Sequence, residues 1–268
     1  MQIGTAVPSQ QELSQAKHHF IQNKSIFDTY TVGDYEKEAL GKLDGLFKTN
    51  DYAILVGGSG LYVDAVLKGF DAFPEIEASV REKVRLEYEQ KGLPYLQQKL
   101  LKLDAAYFEI LTKENPQTLL NPRRMMRFVE VCISSKKPYS SFLNKEKNKR
   151  NFTPICIGLE AERQIIYNRI NQRVDFMMHE GLLAEAEKLF PNRDLNALQT
   201  VGYSELFQYF GNEIILNLAI EEIKKNTRRF SKRQMTWFKK IENVTWFDYE
   251  TAVENIITQI NFAPRCYQ

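Results

Sequence analysis

The chain has 268 residues, of which 36 are Lys or Arg, 34 are Asp or Glu and 3 are Cys. A hydrophobic fraction of 43% with 26% charged residues excludes a disordered, collagen-like or disulfide-stapled protein and leaves a globular one with a substantial core. Because the net charge is only +2, a polyanionic partner would have to be bound by local basic patches rather than by bulk charge.

The start of the chain and its hydropathy favour a soluble, cytoplasmic protein without a membrane partner. The opening MQIGTAVPSQQEL lacks the basic flank and apolar stretch of a signal peptide, and no run approaches the roughly 18–20 apolar residues that span a bilayer. Cys132, Cys156 and Cys266 form no C-x-x-C pair, so we expect reduced thiols rather than a disulfide or a zinc ribbon.

The first third of the chain predicts helices around one buried strand. Apolar residues recur at helical spacing over residues 10–21, and a second helix is predicted over 35–46 with Asp34 as its N-cap. The apolar run at 53–56, which precedes a glycine cluster, predicts a buried parallel strand. Helical periodicity resumes over 61–67.

The middle of the chain predicts a helical insertion. Amphipathic patterns predict helices over 80–91, 94–103 and 105–112, and another begins at Pro122 and runs to about Ser134. Residues 145–150 (KEKNKR) read as a solvent-exposed basic loop.

The last part predicts a second strand at 154–159, helices at 160–180, 182–190, 201–210 and 219–240, and a short strand at 244–247. These elements indicate a predominantly helical α/β protein, with a core of residues 1–73 and 152–268 interrupted by an insertion of residues 74–151. Two or three strands make a thin sheet for a chain of this length, which suggests that a strand is missing from it.

A glycine turn, residues 57–60 (GGSG), joins the first predicted strand to a helix. Backbone N–H groups at a helix N-terminus form a concavity for anions, and Ser59 adds a hydroxyl donor. The carboxyl end of a strand is also where open α/β sheets bind ligands. The alternative is a plain tight turn, and no Walker A motif occurs anywhere in the chain.

Basic residues are concentrated in three further segments. Arg123 and Arg127 lie four residues apart at the start of a helix, as do Arg169 and Arg173 on a later one. Arg173 borders an apolar stripe, where a planar guanidinium is well placed to hold phosphate.

The third segment is a helix over 224–240 whose cations are not interrupted by any acid. Interleaved Phe230, Trp237 and Phe238 suit phosphate contacts combined with base stacking. The alternative is a solvated amphipathic helix whose aromatic residues belong to the core, but the lack of acids favours RNA or another polyphosphate.

No metal-ligand cluster or general base stands out. His18 and His19 are adjacent and point apart, and His179 is the only other histidine, so a protein-built metal site is not expected. Asp64 could be a surface residue or a water-mediated ligand. The residues alone therefore predict an α/β anion-binding protein with an RNA-compatible basic surface.

Taken together, the motifs are more specific than any one of them. In order they are IGTAVPS (3–9), HHF (18–20), YTVGDYEKEA (30–39), GGSGLYVDA (57–65), NPRRMMRFVEV (121–131), GLEAERQIIYNRINQRVDFMM (158–178), LQTVGYSEL (198–206) and TRRFSKRQMTWF (227–238). This set resembles the tRNA dimethylallyltransferases, the tRNA isopentenyltransferase family, over essentially the whole chain.

The resemblance implies a P-loop-type parallel core of the kind found in ATP- and nucleotide-binding proteins, with a helical insertion that clasps the anticodon stem-loop of tRNA. It implies a flipped adenine, 3′-adjacent to the anticodon, whose N6 attacks C1 of dimethylallyl diphosphate while diphosphate leaves with the assistance of Mg²⁺. We expect the Mg²⁺ to be carried by the diphosphate, and the protein to be a monomer.

Site roles follow from the resemblance, position by position. Arg173 resembles the arginine that steadies the diphosphate, and Gly57, Gly58, Ser59 and Gly60 resemble a wall of the substrate channel. The positions that resemble tRNA contacts are Ser59, Arg81, Arg123, Arg124, Met125, Met126, Arg127, Gln199, Thr200, Val201, Gly202, Tyr203, Ser204, Lys232, Arg233, Gln234, Met235, Thr236, Trp237, Phe238 and Lys239.

One departure leaves alternatives open. Members of this family carry a strand, a G-x-T-x-x-G-K-T phosphate loop and a D-S-x-Q segment with the general-base Asp before the stretch that matches IGTAVPS, whereas this sequence starts at that stretch. We therefore expect the N-terminal strand, the phosphate loop and the base to be absent from this chain. The alternatives to a prenyltransferase are a truncated, catalytically dead tRNA-binding fragment and an unrelated P-loop kinase fragment.

Overall fold

The computed structural model describes residues 1–143 and 150–261. The chain forms two compact units, a core unit (Met1–Asp64 and Phe152–Gln268) and an insertion unit (Ala65–Asn151). Cys132 and Cys156 are free thiols, as expected. The predicted basic loop, apart from its last residue, and Cys266 lie outside the described residues.

The described residues form mostly helices, with one small sheet. In chain order the elements are α1 (Gln10–Gln15), α2 (Val32–Leu46), α3 (Gly60–Leu67), α4 (Ala78–Leu103), α5 (Ala105–Glu114), α6 (Pro116–Leu119), α7 (Pro122–Ser135), β1 (Cys156–Glu160), α8 (Arg163–His179), α9 (Leu182–Leu189), α10 (Tyr203–Phe210), α11 (Leu216–Phe238), β2 (Val244–Asp248) and α12 (Val253–Asn261). Short 3₁₀ turns occur at Tyr139–Phe142, Phe190–Asn192 and Asn196–Leu198. No helix among the described residues is both long and apolar enough to cross a membrane.

The insertion unit is built on the packing of α4 against α7. α4 breaks at Gly92, whose φ of +72° is accessible to glycine at little cost, and Pro94 follows in the next turn. The break matches the two helices predicted there. Completely buried side chains fill the interior of this unit; they are Val84, Leu96, Leu100, Met125, Val129 and Val131.

The sheet of the core unit has two parallel strands, β1 and β2, in a register that places Cys156 opposite Val244 and Glu160 opposite Asp248. Both strands were predicted. The strand predicted at 53–56 is wrong, since these residues have no strand hydrogen bonds, and Ile54 and Val56 are 90% and 87% exposed. An apolar run becomes a strand only when a neighbouring strand pairs with it, and no described strand does so here.

The end of α1 and the start of α2 differ from the prediction. α1 ends at Gln15 instead of continuing to residue 21, because none of its residues is buried and the apolar stripe has no core to pack against. Thr31, not Asp34, is the N-cap of α2: its hydroxyl accepts from the Asp34 N–H at 3.2 Å, and the Asp34 carboxylate accepts from the Thr31 N–H at 2.9 Å. The pair is a capping box.

The interior of the core unit lies among α8, α9, α10 and α11. Its buried residues include Val174, Leu182, Leu198, Leu206, Ala219 and Ile223. The apolar stripe that Arg173 was predicted to border therefore faces a core, since its member Val174 is buried there.

The Glu185 carboxylate of α9 fastens the start of the chain to this interior. It accepts backbone N–H groups from Gln2 (2.8 Å), Ile3 (3.1 Å) and Gly4 (3.1 Å), and it also accepts the Tyr203 hydroxyl. Burial by itself would raise the pKa of the Glu185 carboxyl, but the hydrogen bonds outweigh burial and hold that pKa below its usual value. Glu185 thus joins three separate parts of the sequence.

We predict that Glu185→Gln lowers the free energy of unfolding by about 1–3 kcal/mol at pH 7, because an amide cannot satisfy four donors as a carboxylate does. Because the folded-state pKa is depressed, this contribution is present above the unfolded-state pKa, about 4.3, and is lost as the pH falls through the folded-state value. Urea denaturation of both proteins from pH 7 downward measures it. Glu187→Gln, at an exposed position of the same helix, is the control; a Glu185→Gln deficit that does not shrink toward low pH would contradict the assignment.

Candidate functional site

The glycine turn packs on the C-terminal half of α11. A Cβ built on Gly58 would overlap the side-chain amide of Gln234, and one built on Gly60 would overlap the indole ring of Trp237. Neither glycine has a positive φ, so close approach and not backbone conformation requires glycine there. Gly57, by contrast, faces open space, and Ser59 is exposed.

A hydrogen bond closes this contact. The indole N–H of Trp237 donates to Oδ2 of Asp64 at 3.0 Å, one turn along α3 from Gly60. Gln234 and Trp237 are three residues apart and share a face of α11. The face of α11 that bears Gln234 and Trp237 therefore packs against the glycine turn.

The cations of α11 divide into two groups. Those nearer its N-terminus hold the core unit together: Lys224 pairs with Asp175 of α8 at 2.8 Å, and Arg228 donates to Asn171 of α8 at 2.6 Å. Lys225 pairs with Glu222 on the same helix. These side chains are engaged within the protein.

The second group lies nearer the C-terminus of α11. Lys232, Lys239 and the following Lys240 are exposed and have no ion-pair partner among the described residues. The Arg233 guanidinium lies 5.6 Å from the ring centre of Phe230, which is itself 43% exposed. Exposed cations beside exposed aromatic rings can bind phosphates and stack on bases. Thr236 is also exposed, whereas Met235 and Phe238 are half-buried.

Arg173 lies on the exposed side of α8, next to the buried Val174. No carboxylate pairs with it within residues 1–143 and 150–261. Arg169, four residues earlier, rests over the Tyr249 ring at 5.3 Å. Arg173 is therefore an available cation at the edge of a packed interior. This agrees with the predicted position of Arg173 beside an apolar stripe.

The segment 199–204 is only partly accessible. Gln199 and Thr200 are exposed, and Val201 and Ser204 are half-buried. Gly202 adopts a φ of +101°, and its N–H donates to the buried Glu205 at 2.8 Å. Tyr203 is completely buried, and its hydroxyl donates a hydrogen bond to Glu185. This side chain therefore belongs to the core and is not accessible to a nucleic acid.

The remaining predicted contacts belong to the insertion unit. Arg81, Arg123 and Arg124 are exposed, and Arg124 also donates to the Thr118 hydroxyl at 2.9 Å. Arg127 is half-buried over the Phe73 ring at 5.6 Å, and Met126 is half-buried. Met125 is completely buried in the core of the unit.

Arg81 and Arg127 share an acidic neighbour, Glu130. Burial raises the pKa of the Glu130 carboxyl, and the two guanidinium groups act against that rise. The accessible part of this cluster is thus a group of arginines on the first turns of α4 and α7.

Comparison with known proteins identifies the family. Residues 1–241 match the family model described as IPP transferase. The tRNA dimethylallyltransferase of Flavobacterium johnsoniae is 69% identical over 260 residues, covering 97% of this chain and 84% of its own, and that of Flavobacterium psychrophilum is 67% identical over 261 residues, covering 97% and 85%. The chain belongs to the IPP transferase family.

Solved structures agree with this membership. The tRNA isopentenylpyrophosphate transferase of Bacillus halodurans is 32% identical with a TM-score of 0.65, covering 96% of this chain and 80% of its own. A eukaryotic dimethylallyltransferase acting on tRNA gives a TM-score of 0.78 at 22% identity, covering 97% and 68%, and shows the fold. The predicted fold class, a predominantly helical α/β protein with a P-loop-type parallel core, is confirmed.

The sequence did not reveal two of the contacts that build the site. Asp64 was left open between a surface residue and a ligand, yet it accepts the Trp237 indole N–H. Gly58 and Gly60 were left open between an anion-binding concavity and a plain tight turn, and their contacts with Gln234 and Trp237 were not foreseen. The available signal was a pair of matching spacings, two glycines that are two residues apart in the turn and a Gln and a Trp that are three residues apart on a helix.

We predict that Gly60→Ala destabilises the protein by about 1–3 kcal/mol, because the added methyl group overlaps an indole ring that Asp64 holds in place. Helix propensity offsets little of this, because Gly60 is the first residue of α3 and the preference of about 1 kcal/mol for Ala over Gly applies to helix interiors. Urea denaturation followed by circular dichroism measures the net effect. Gly57→Ala, which meets no atom within 4 Å, is the matched control and should not destabilise; a Gly60→Ala protein as stable as the control would refute the contact.

Proposed function

We propose that the chain transfers the dimethylallyl group of dimethylallyl diphosphate to N6 of the adenosine that is 3′-adjacent to the anticodon of tRNA. The observation that carries the proposal is the 69% identity, over 97% of the chain, to a protein named tRNA dimethylallyltransferase. The exposed cations and aromatic rings of α11, beside the glycine turn, support it. The relatives do not support the alternative of a catalytically dead tRNA-binding fragment, and the family match excludes an unrelated kinase.

In this proposal the residues of the chain bind and orient the two substrates. Lys232, Arg233 and Lys239 neutralise phosphates of the anticodon stem-loop, and the accessible arginines of the insertion unit contact it as well. The target adenine leaves its stack so that N6 can reach the donor. Gln199 and Thr200 are the accessible members of the 199–204 segment for such contacts.

The transfer forms a bond between N6 and C1 of the dimethylallyl group and breaks the bond from C1 to the diphosphate oxygen. The electron pair of that bond leaves on diphosphate, and one N6 proton is lost to a base. We assign the Arg173 guanidinium to the diphosphate, because a planar donor that is not ion-paired can bind two of its oxygens and stabilise the charge that develops there. No described residue is assigned to the proton.

The prediction of Mg²⁺ carried by the diphosphate stays a prediction. Among the described residues no three His, Cys, Asp or Glu side chains gather into a cluster that could hold a metal. These residues therefore do not fit a protein-built site, and no step above is derived through the ion. A monomeric state and a cytoplasmic location are likewise part of the proposal.

The direct test is prenyl transfer itself. The protein is incubated with dimethylallyl diphosphate, MgCl₂ and tRNA transcribed without modifications, and the tRNA is digested to nucleosides for mass spectrometry. We expect N6-isopentenyladenosine at the adenosine 3′-adjacent to the anticodon, and none when that adenosine is replaced by guanosine. Unmodified tRNA after incubation with the full-length protein would contradict the proposal.

We predict that Arg173→Ala raises the KM for dimethylallyl diphosphate and lowers kcat, together at least tenfold in kcat/KM, with less than a twofold change in tRNA affinity. Steady-state kinetics and filter binding measure the two quantities. Arg163→Ala, also exposed on α8, is the control and should change neither. Loss of tRNA affinity with unchanged use of the diphosphate would show that Arg173 is a tRNA contact.

A further inference from the structure

Two side chains of α11 contact the glycine turn, Gln234 at Gly58 and Trp237 at Gly60. The Trp237 side chain lies against the Cα of Gly60, where no larger residue fits, and it is still 40% exposed. An aromatic ring at a half-open surface is not held by packing alone, because it can rotate about χ1 and χ2 into solvent. A further interaction is needed to hold the indole ring over the turn.

Asp64 provides the fixed point. It lies four residues after Gly60 on α3, so its carboxylate and Gly60 are on the same face of that helix. Oδ2 accepts the indole N–H at 3.0 Å, which fixes both the position of the ring and the direction of its plane. Asp64 thereby links the glycine turn to α11 through Trp237, beside the contact of Gln234 with Gly58.

We propose that Asp64 is a positioning residue for prenyl transfer, which acts through Trp237 to hold the glycine turn against the basic helix. The inference rests on the proposed function and deepens it. It assigns Trp237 a task besides the predicted contact with tRNA, and it gives Asp64 a role that neither a solvated surface residue nor a ligand would have. The turn and the tRNA-binding residues of α11 then move as one element, so that channel wall and bound tRNA keep a constant geometry.

A positioning role predicts that loss of Asp64 changes the rate of prenyl transfer and not the binding of the substrates. A turn that has come off α11 still leaves Lys232, Arg233 and Arg173 in place for the substrates, but it misplaces the wall beside the reacting atoms. Small misplacements of reacting groups cost rate more than affinity. Loss of the Asp64 carboxylate should therefore lower kcat and leave KM nearly unchanged.

The test compares Asp64→Ala, Asp64→Asn, Trp237→Phe and the double variant Asp64→Ala/Trp237→Phe with the wild type. We expect kcat to fall about tenfold in Asp64→Ala, with KM for both substrates within twofold of wild type. Asp64→Asn should retain most of kcat, since its amide oxygen can still accept the indole N–H. The double variant should be no slower than the slower single variant, because both changes remove the same hydrogen bond. Additive losses, or an Asn variant as slow as the Ala variant, would overturn the proposal.

Amide hydrogen exchange tests the positioning role of Asp64 without an activity measurement. Peptides covering residues 57–63 should exchange about tenfold faster in Asp64→Ala than in wild type, while Asp64→Asn stays near wild type. Unchanged exchange in Asp64→Ala would overturn the positioning role even if kcat fell. A wild-type protein that makes no product counts against the proposed function instead, and the exchange comparison then decides the positioning role by itself.

Discussion

The arrangement of the core unit depends on one helix, α11, whose faces have different tasks. Ala219 and Ile223 are buried in the interior, while Lys224 and Arg228 bind side chains of α8. Farther along, Gln234 and Trp237 lie against the glycine turn. Because these faces pack against neighbours, the part of α11 that carries the exposed cations has a fixed position relative to the turn.

This division of tasks explains a helix that is strongly basic in a chain of nearly neutral charge. Cations that face α8 have acceptors within the protein, and their charge is balanced locally. Those at the C-terminal end have no such partner among the described residues, so their charge is available to a polyanion. Bulk charge would attract any anion, whereas cations in this placement offer a polyanion one surface next to the turn.

Much of the secondary structure could be predicted from the sequence because its signals are local. Pro122 at the start of α7 and the break in α4 near Gly92 and Pro94 depend on backbone properties of single residues. The run at 53–56 was mispredicted because a strand needs a partner, which local sequence does not encode. The same holds for α1, whose apolar stripe meets no core.

The candidate site shows the same limit. Accessible cations such as Arg173 and Lys232 could be anticipated from spacing and from the absence of nearby acids. The buried place of Tyr203 and the contact of Asp64 with Trp237 could not, because they join residues 18 and 173 positions apart. Motif resemblance supplied the family, and packing then separated residues that hold the fold from those that can reach a substrate.

The most direct test is to measure how strongly the Lys232→Glu/Arg233→Glu variant binds an anticodon stem-loop at a series of salt concentrations. If these two side chains contact phosphates, affinity falls and the slope of log K against log salt concentration becomes shallower by about 1.5–2. The matched control is Lys42→Glu/Lys48→Glu, which changes net charge equally at exposed positions on and just after α2. An unchanged slope for the α11 variant, or an equal change for the control, would contradict the claim that the exposed end of α11 is the tRNA-binding surface.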